Sequence, residues 1–98
     1  MGVGIAFLVT CYVAAPGAHF YSGDPVGQKH NLVTAACPWR YKIGTELFIE
    51  SVGTVKCLDR GGLVDGNHID IYMDTGNYFR DRQACIRWGK KLLAVSQN

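Results

Sequence analysis

The sequence predicts an all-β fold, a small closed barrel of about six strands with one short helix near the C-terminus. Three observations carry that expectation. Twelve glycines stand among 98 residues, a density of turns that suits a β-rich chain better than a helical bundle. The apolar segments between the turns are short, and the last well-defined one alternates as Ile69, Ile71, Met73, the period of a strand with two unlike faces. A single helical segment comes late, so the strand–helix–strand rhythm of a parallel α/β sheet is missing.

Taken in order, the first strand is expected over Ile5 to Val13, as a buried apolar run. A polar, glycine-rich segment from Ala14 to Asn31 follows, with PG, SGDP and VG turn signals. A short strand near Leu32 to Ala36 leads into Cys37-Pro38. Strands over Glu46 to Ser51 and Gly53 to Leu58 meet at a tight turn. After the Asp59-Arg60-Gly61-Gly62 and Asp65-Gly66-Asn67 turns comes a strand over Ile69 to Met73. A helix from about Tyr78 to Trp88 is bounded by Asn77 or Thr75 as N-cap and by Gly89 at its end, with Ala84, Cys85 and Trp88 as its apolar face. Leu92 to Val95 closes the sheet.

Length and composition set the outer bounds. Ninety-eight residues make one domain, here spanning 1–98, with a compact core. A formal net charge of +2 gives no case for a nucleic-acid partner. The late cluster Arg80, Arg82, Arg87, Lys90 and Lys91 reads as a solvated helix face, with contact to an anionic polymer as the alternative. Gly2 to Ala15 has the apolarity of a signal segment, but no Lys or Arg precedes it, and it is too short and glycine-broken to span a bilayer. Stable membrane insertion is therefore not expected. His19, His30 and His68 are scattered, and Cys11, Cys37, Cys57 and Cys85 lack metal-type spacing, so neither a metal nor any other cofactor is expected. Two disulfides in any of three pairings, or free buried thiols, fit the cysteine count.

The functional signal lies between Lys42 and Met73. Asp59 and Asp70 stand at the ends of two expected strands joined by glycine-rich turns. Paired, partly buried acids are the chemistry of glycosidic bond cleavage. Alternation puts Asp70 and Tyr72 on one face and Ile69, Ile71 and Met73 on the other, and it likewise pairs Cys57 with Asp59. Each acid has a plainer role open to it, Asp59 capping its turn and Asp70 charging an edge strand. Trp39, Tyr41 and Trp88 are either sugar-stacking platforms or packing residues.

In this order, FLVTCY, TAACPWRYKIGTELFI, KCLDRGGLVDGNHIDIYM and ACIRWGKKLLAV resemble the 3D domain, the double-psi β-barrel of MltA-type and stationary-phase lytic transglycosylases. RlpA-like and expansin-like barrels share its elements more loosely. The resemblance spans Phe7 to Val95 and implies a six-stranded double-psi barrel acting on peptidoglycan glycan strands. It puts the family's third aspartate, the implied catalytic acid, on Asp70, and the second on Asp59 in a supporting role. The first falls on Cys37, which departs from the pattern. Thr10 and Tyr12 match the family's T-x-Y, and Gly44-Thr45 its G-T, with Lys42 where the family has proline. The implied substrate-binding set is Thr10, Tyr12, Cys37, Thr45, Gly61, Gly62, Asn67 and Tyr72, with His68 as a further hydrogen-bonding group.

The implied activity is lytic transglycosylation, which leaves 1,6-anhydro-muramoyl ends. A bare domain of this kind suggests a phage or prophage lysin placed at the cell wall, in the periplasm or on a virion. The rival assignments are a non-catalytic, expansin-like polysaccharide binder and a structural phage barrel with a phage partner. A neutral Cys37 thiol beside the acids would lower the pKa of Asp70. If the aspartate positions converge, a Cys37–Cys57 bond is implied instead.

Overall fold

In the computed structural model, which describes residues 4–61 and 66–97, six strands close into a barrel. They are β1 (Ile5–Tyr12), β2 (Thr34–Ala36), β3 (Glu46–Ile49), β4 (Gly53–Asp59), β5 (His68–Tyr72) and β6 (Lys91–Gln97), with helix α1 (Tyr78–Trp88) between β5 and β6. Around the barrel the order is β1-β5-β2-β4-β3-β6. The β1–β5 and β2–β4 pairs are parallel and the other four antiparallel. Two interleaved parallel pairs in a closed six-stranded sheet fit the double-psi arrangement.

Inward-facing apolar side chains fill the barrel. Phe7 and Val9 of β1, Leu47 and Ile49 of β3, Val55 of β4, Ile69 and Ile71 of β5 and Val95 of β6 form one buried cluster, and removing this area from water is the main stabilising term. The expectation from composition that β1 is buried throughout is corrected. It alternates, with Ile5 and Ala6 exposed and Phe7 and Val9 enclosed, because one face of it looks outward.

The strand ends differ from expectation where the backbone turns left-handed. Leu32 has φ 58°, which no strand accommodates, so β2 begins at Thr34. Ser51 has φ 68°, and Val52 N donates to Ile49 O at 3.0 Å in a turn, so β3 stops at Ile49. The helix spans the expected residues. Asn77 is its N-cap, its Oδ1 accepting from Arg80 N at 3.0 Å. Thr75 is not the cap: its N and Oγ1 both donate to Asp81, a buried carboxylate inside the first turn. Gly89, at φ 65°, returns its N–H to Cys85 O at 3.2 Å. Arg80, Arg82, Arg87, Lys90 and Lys91 are all exposed, as a solvated face requires.

All four cysteines are bonded, Cys11 to Cys85 and Cys37 to Cys57, so the free-thiol alternative falls. The first bond ties α1 to β1. The second joins the end of β2 to β4 within the core.

Candidate functional site

Strand register builds the site. Thr10 lies opposite Asp70 in the β1–β5 pair, Asp70 opposite Ala36 in the β5–β2 pair, and Ala36 opposite Asp59 in the β2–β4 pair. One row thus crosses four strands with an acid on each side of Ala36. The row depends on a bulge. Ala35 pairs with Cys57 but Ala36 pairs with Asp59, so Leu58 is an extra residue on β4 that breaks the alternation. The expectation that Cys57 and Asp59 share a face is corrected accordingly. Cys57 turns into the core, whereas Asp59 turns out to meet Tyr12.

Each acid is held by hydrogen bonds. Thr10 Oγ1 donates to Asp70 Oδ1 at 2.9 Å and also lies 2.8 Å from His68 Nε2. The hydroxyl has one proton; while it points at Asp70, His68 Nε2 donates to Thr10, and when Asp70 is protonated the directions can reverse. Tyr12 OH donates to Asp59 Oδ2 at 2.7 Å, and the Tyr21 amide donates to Asp59 Oδ1 at 2.8 Å.

Burial pushes the Asp70 pKa above the ordinary carboxylate range, and the charge of Asp59 adds to the rise. The Thr10 hydrogen bond and the nearby His68 act against it. Burial is the leading cause and the Asp59 charge the least, so like-charge repulsion between the two acids is present but secondary. Burial also raises Tyr12, and its bond to Asp59 raises it further, so the phenol stays a donor.

The structure therefore brings together Asp70, Asp59, Thr10, Tyr12 and His68. Others of the expected set lie elsewhere. Cys37 is 1 % exposed and bonded to Cys57, so its sulfur faces the core rather than the acids, and the expected influence of a free thiol on Asp70 does not arise. Its contact with Asp59 is through the backbone, the Cys37 amide donating to Asp59 O at 3.1 Å. Tyr72 is also 1 % exposed. Its hydroxyl donates to Asp74 Oδ2 at 2.7 Å, and its ring packs edge-on against Tyr12 and Phe20, so it supports Tyr12 from beneath instead of meeting a ligand. Asn67 anchors the start of β5, its Oδ1 accepting from Arg40 at 2.7 Å and its carbonyl from Leu8 N at 2.8 Å. Thr45 is tied through its backbone to Lys42 and Cys57. Gly61 follows Arg60, half-buried; Gly62, with Asp65 of the second turn, lies outside the described residues.

Sequence reasoning missed how the long segment after β1 returns to the site. Phe20 is buried against Tyr72 and His30, which places the Tyr21 amide on Asp59. The apolar Phe-Tyr pair inside a polar stretch was the available signal. It also missed Arg60, whose Nη1 donates to Cys37 O at 3.0 Å and Pro38 O at 2.7 Å and whose Nη2 donates to Tyr41 O. Among the aromatic candidates, Trp88 donates from Nε1 to Val9 O at 3.1 Å under the Lys91 ammonium, and Tyr41 packs on the core. Both are structural.

No curated protein matches the chain. A family model described as 3D domain matches residues 33–96. That span takes in β2 to β6 with both acids and leaves β1, with Thr10 and Tyr12, ahead of it. With most of its length matched and a six-stranded barrel to go with the match, the chain belongs to the 3D domain family, a family associated with lytic-transglycosylase-type barrels.

Proposed function

We propose that the barrel cleaves peptidoglycan glycan strands as a lytic transglycosylase, with Asp70 as acid and base and Asp59 in support. The observation that carries this reading is the Asp70 carboxyl: half-buried, raised in pKa by that burial, and held by Thr10 in one row with Asp59. A carboxyl that keeps its proton above the ordinary range is what protonation of a leaving glycosidic oxygen needs.

In the reaction, Asp70 gives its proton to the oxygen leaving the muramoyl anomeric carbon as that bond breaks. The C6 hydroxyl of the same sugar attacks the anomeric carbon and closes the 1,6-anhydro ring. Asp70, now a carboxylate, takes the C6 hydroxyl proton and returns to its starting state, so no water is consumed. Asp59 places negative charge near the oxocarbenium-like transition state, and the Tyr12 hydroxyl and Tyr21 amide fix its orientation. Thr10 holds Asp70 in both protonation states through its link to His68. Two disulfides suit an oxidising compartment, where this polymer is found.

The test is mass spectrometry of the muropeptides released from purified peptidoglycan, from acidic to neutral pH, by the protein and by Asp70→Asn. Anhydro-ended products from the parent alone are expected. Reducing ends would mean hydrolysis by water, and no release from the folded parent would leave a barrel that binds polysaccharide without cutting it.

A further inference from the structure

Trp39 is 66 % exposed and Tyr21 59 % exposed, yet neither ring hangs free. They meet edge to face, with centroids 5.4 Å apart and planes at 84°. The Arg60 guanidinium lies 4.8 Å from the Trp39 ring centroid. Its Nη groups bond the carbonyls of Cys37, Pro38 and Tyr41, so the cation beside the indole also fixes the segment that carries it. Cys37, two residues before Trp39, is bonded to Cys57 in the core.

This platform and the acid site share their supports. Arg60 follows Asp59 directly, and the Tyr21 amide holds Asp59 Oδ1 at 2.8 Å. A large apolar ring kept in water by so many fixed contacts is poorly explained by packing, which would bury it. It is well explained as a preorganised binding surface, because the ordering cost is met before a ligand arrives.

We propose that Trp39 and Tyr21 form a sugar-binding subsite on the Asp59 side of the acid pair, and that it takes a neutral N-acetylglucosamine ring. A flat indole bordered by a phenol matches the C–H face of a β-1,4-linked pyranose, whose equatorial hydroxyls point away from the ring. The bonds of Arg60 to main-chain carbonyls turn its guanidinium into the fold, so it presents no outward fork for a lactyl or peptide carboxylate. That selects the neutral sugar of the strand over the acidic one. The identity of the polymer rests on the proposed lytic reading; the presence of a pyranose subsite does not.

The experiment is an NMR titration of the Asp70→Asn protein with N-acetylglucosamine tetramer, following backbone amides and the Trp39 indole. The same titration is run with Trp39→Ala and Trp39→Phe added. Shifts centred on Tyr21, Trp39 and Arg60 are expected, with affinity about tenfold weaker or more in Trp39→Ala and partly restored in Trp39→Phe. Unchanged affinity in Trp39→Ala, shifts centred elsewhere, or no binding by the Asp70→Asn parent would each overturn the subsite. If the wild type releases no anhydro products while the tetramer still binds at Trp39, the lytic reading fails and the subsite stands. If the wild type cleaves and Trp39→Ala keeps both kcat and KM, the subsite fails and the lytic reading stands.

Discussion

Breaking the Cys37–Cys57 bond should cost the protein a large part of its stability, and the structure sets the size of the loss. The bond closes a sequence separation of 20, for which the loop-entropy expression gives about 3.3 kcal/mol at 25 °C. Both sulfurs lie in the core. Reduction leaves them in place and removes only the constraint, whereas replacing both cysteines by Ala also empties two buried positions, adding about 1 kcal/mol each. Against a total of about 5–15 kcal/mol for a domain of this size, either change is severe. The measurement is equilibrium urea unfolding in the Cys11→Ala/Cys85→Ala background, where the Cys37–Cys57 bond remains alone and can be reduced selectively. Reduction should lower the unfolding free energy by about 3 kcal/mol and Cys37→Ala/Cys57→Ala by about 5 kcal/mol. Because Cys37 leads into Trp39 and Cys57 into Asp59, the Trp39 emission should shift before global unfolding. A loss under about 1 kcal/mol for reduction would refute the argument, since the bond would then constrain nothing that the sheet does not already hold.

Three further outcomes are expected. Thr10→Val removes a donor that favours the charged form of Asp70, so its pKa rises further and the alkaline limb of the pH–activity profile moves to higher pH; an unmoved limb would disconnect Thr10 from the acid. Tyr12→Phe deletes the 2.7 Å bond to Asp59, and chemical denaturation should show a loss of about 1.5–3 kcal/mol, the usual worth of a hydrogen bond to a charged group. Because Asp70 is raised in the folded state, its contribution to stability is fully present below the ordinary carboxylate pKa and is lost as pH rises through its folded value. The unfolding free energy measured across acidic pH should therefore decline less steeply with rising pH in Asp70→Asn than in the parent.

Much of the fold was legible locally. The helix from Tyr78 to Trp88 is bounded by Asn77 and Gly89, whose side-chain acceptor and left-handed backbone act within one turn, so sequence neighbours suffice to place it. The strands showed in the same way through alternation and turns, and the ordered family blocks identified the barrel. The two acids were legible as types at the ends of strands. Their relation was not. Asp59 joins the row of Asp70 only because Leu58 bulges between the pairings at Cys57 and Asp59, and a bulge is set by strands that are distant in sequence.

The fate of Cys37 shows the same division. As a sequence position it stood either for a lost acid beside Asp70 or, as the family register implied, for a partner of Cys57, since residue type and family register are all that a linear chain displays. Which way its side chain points depends on β2 closing against β4, and that closure buries the sulfur against Cys57. Tyr72 and Tyr12 make the contrast within one face of the sheet: adjacent in register, one is covered by Phe20 from the long loop and the other reaches Asp59. The sequence by itself determined the barrel, its helix and the two carboxylates, because turn chemistry, alternation and ordered motifs act over short distances. Only the tertiary structure decided which side chains surround those carboxylates, because register, bulge and loop return are fixed by contacts between residues far apart in the chain.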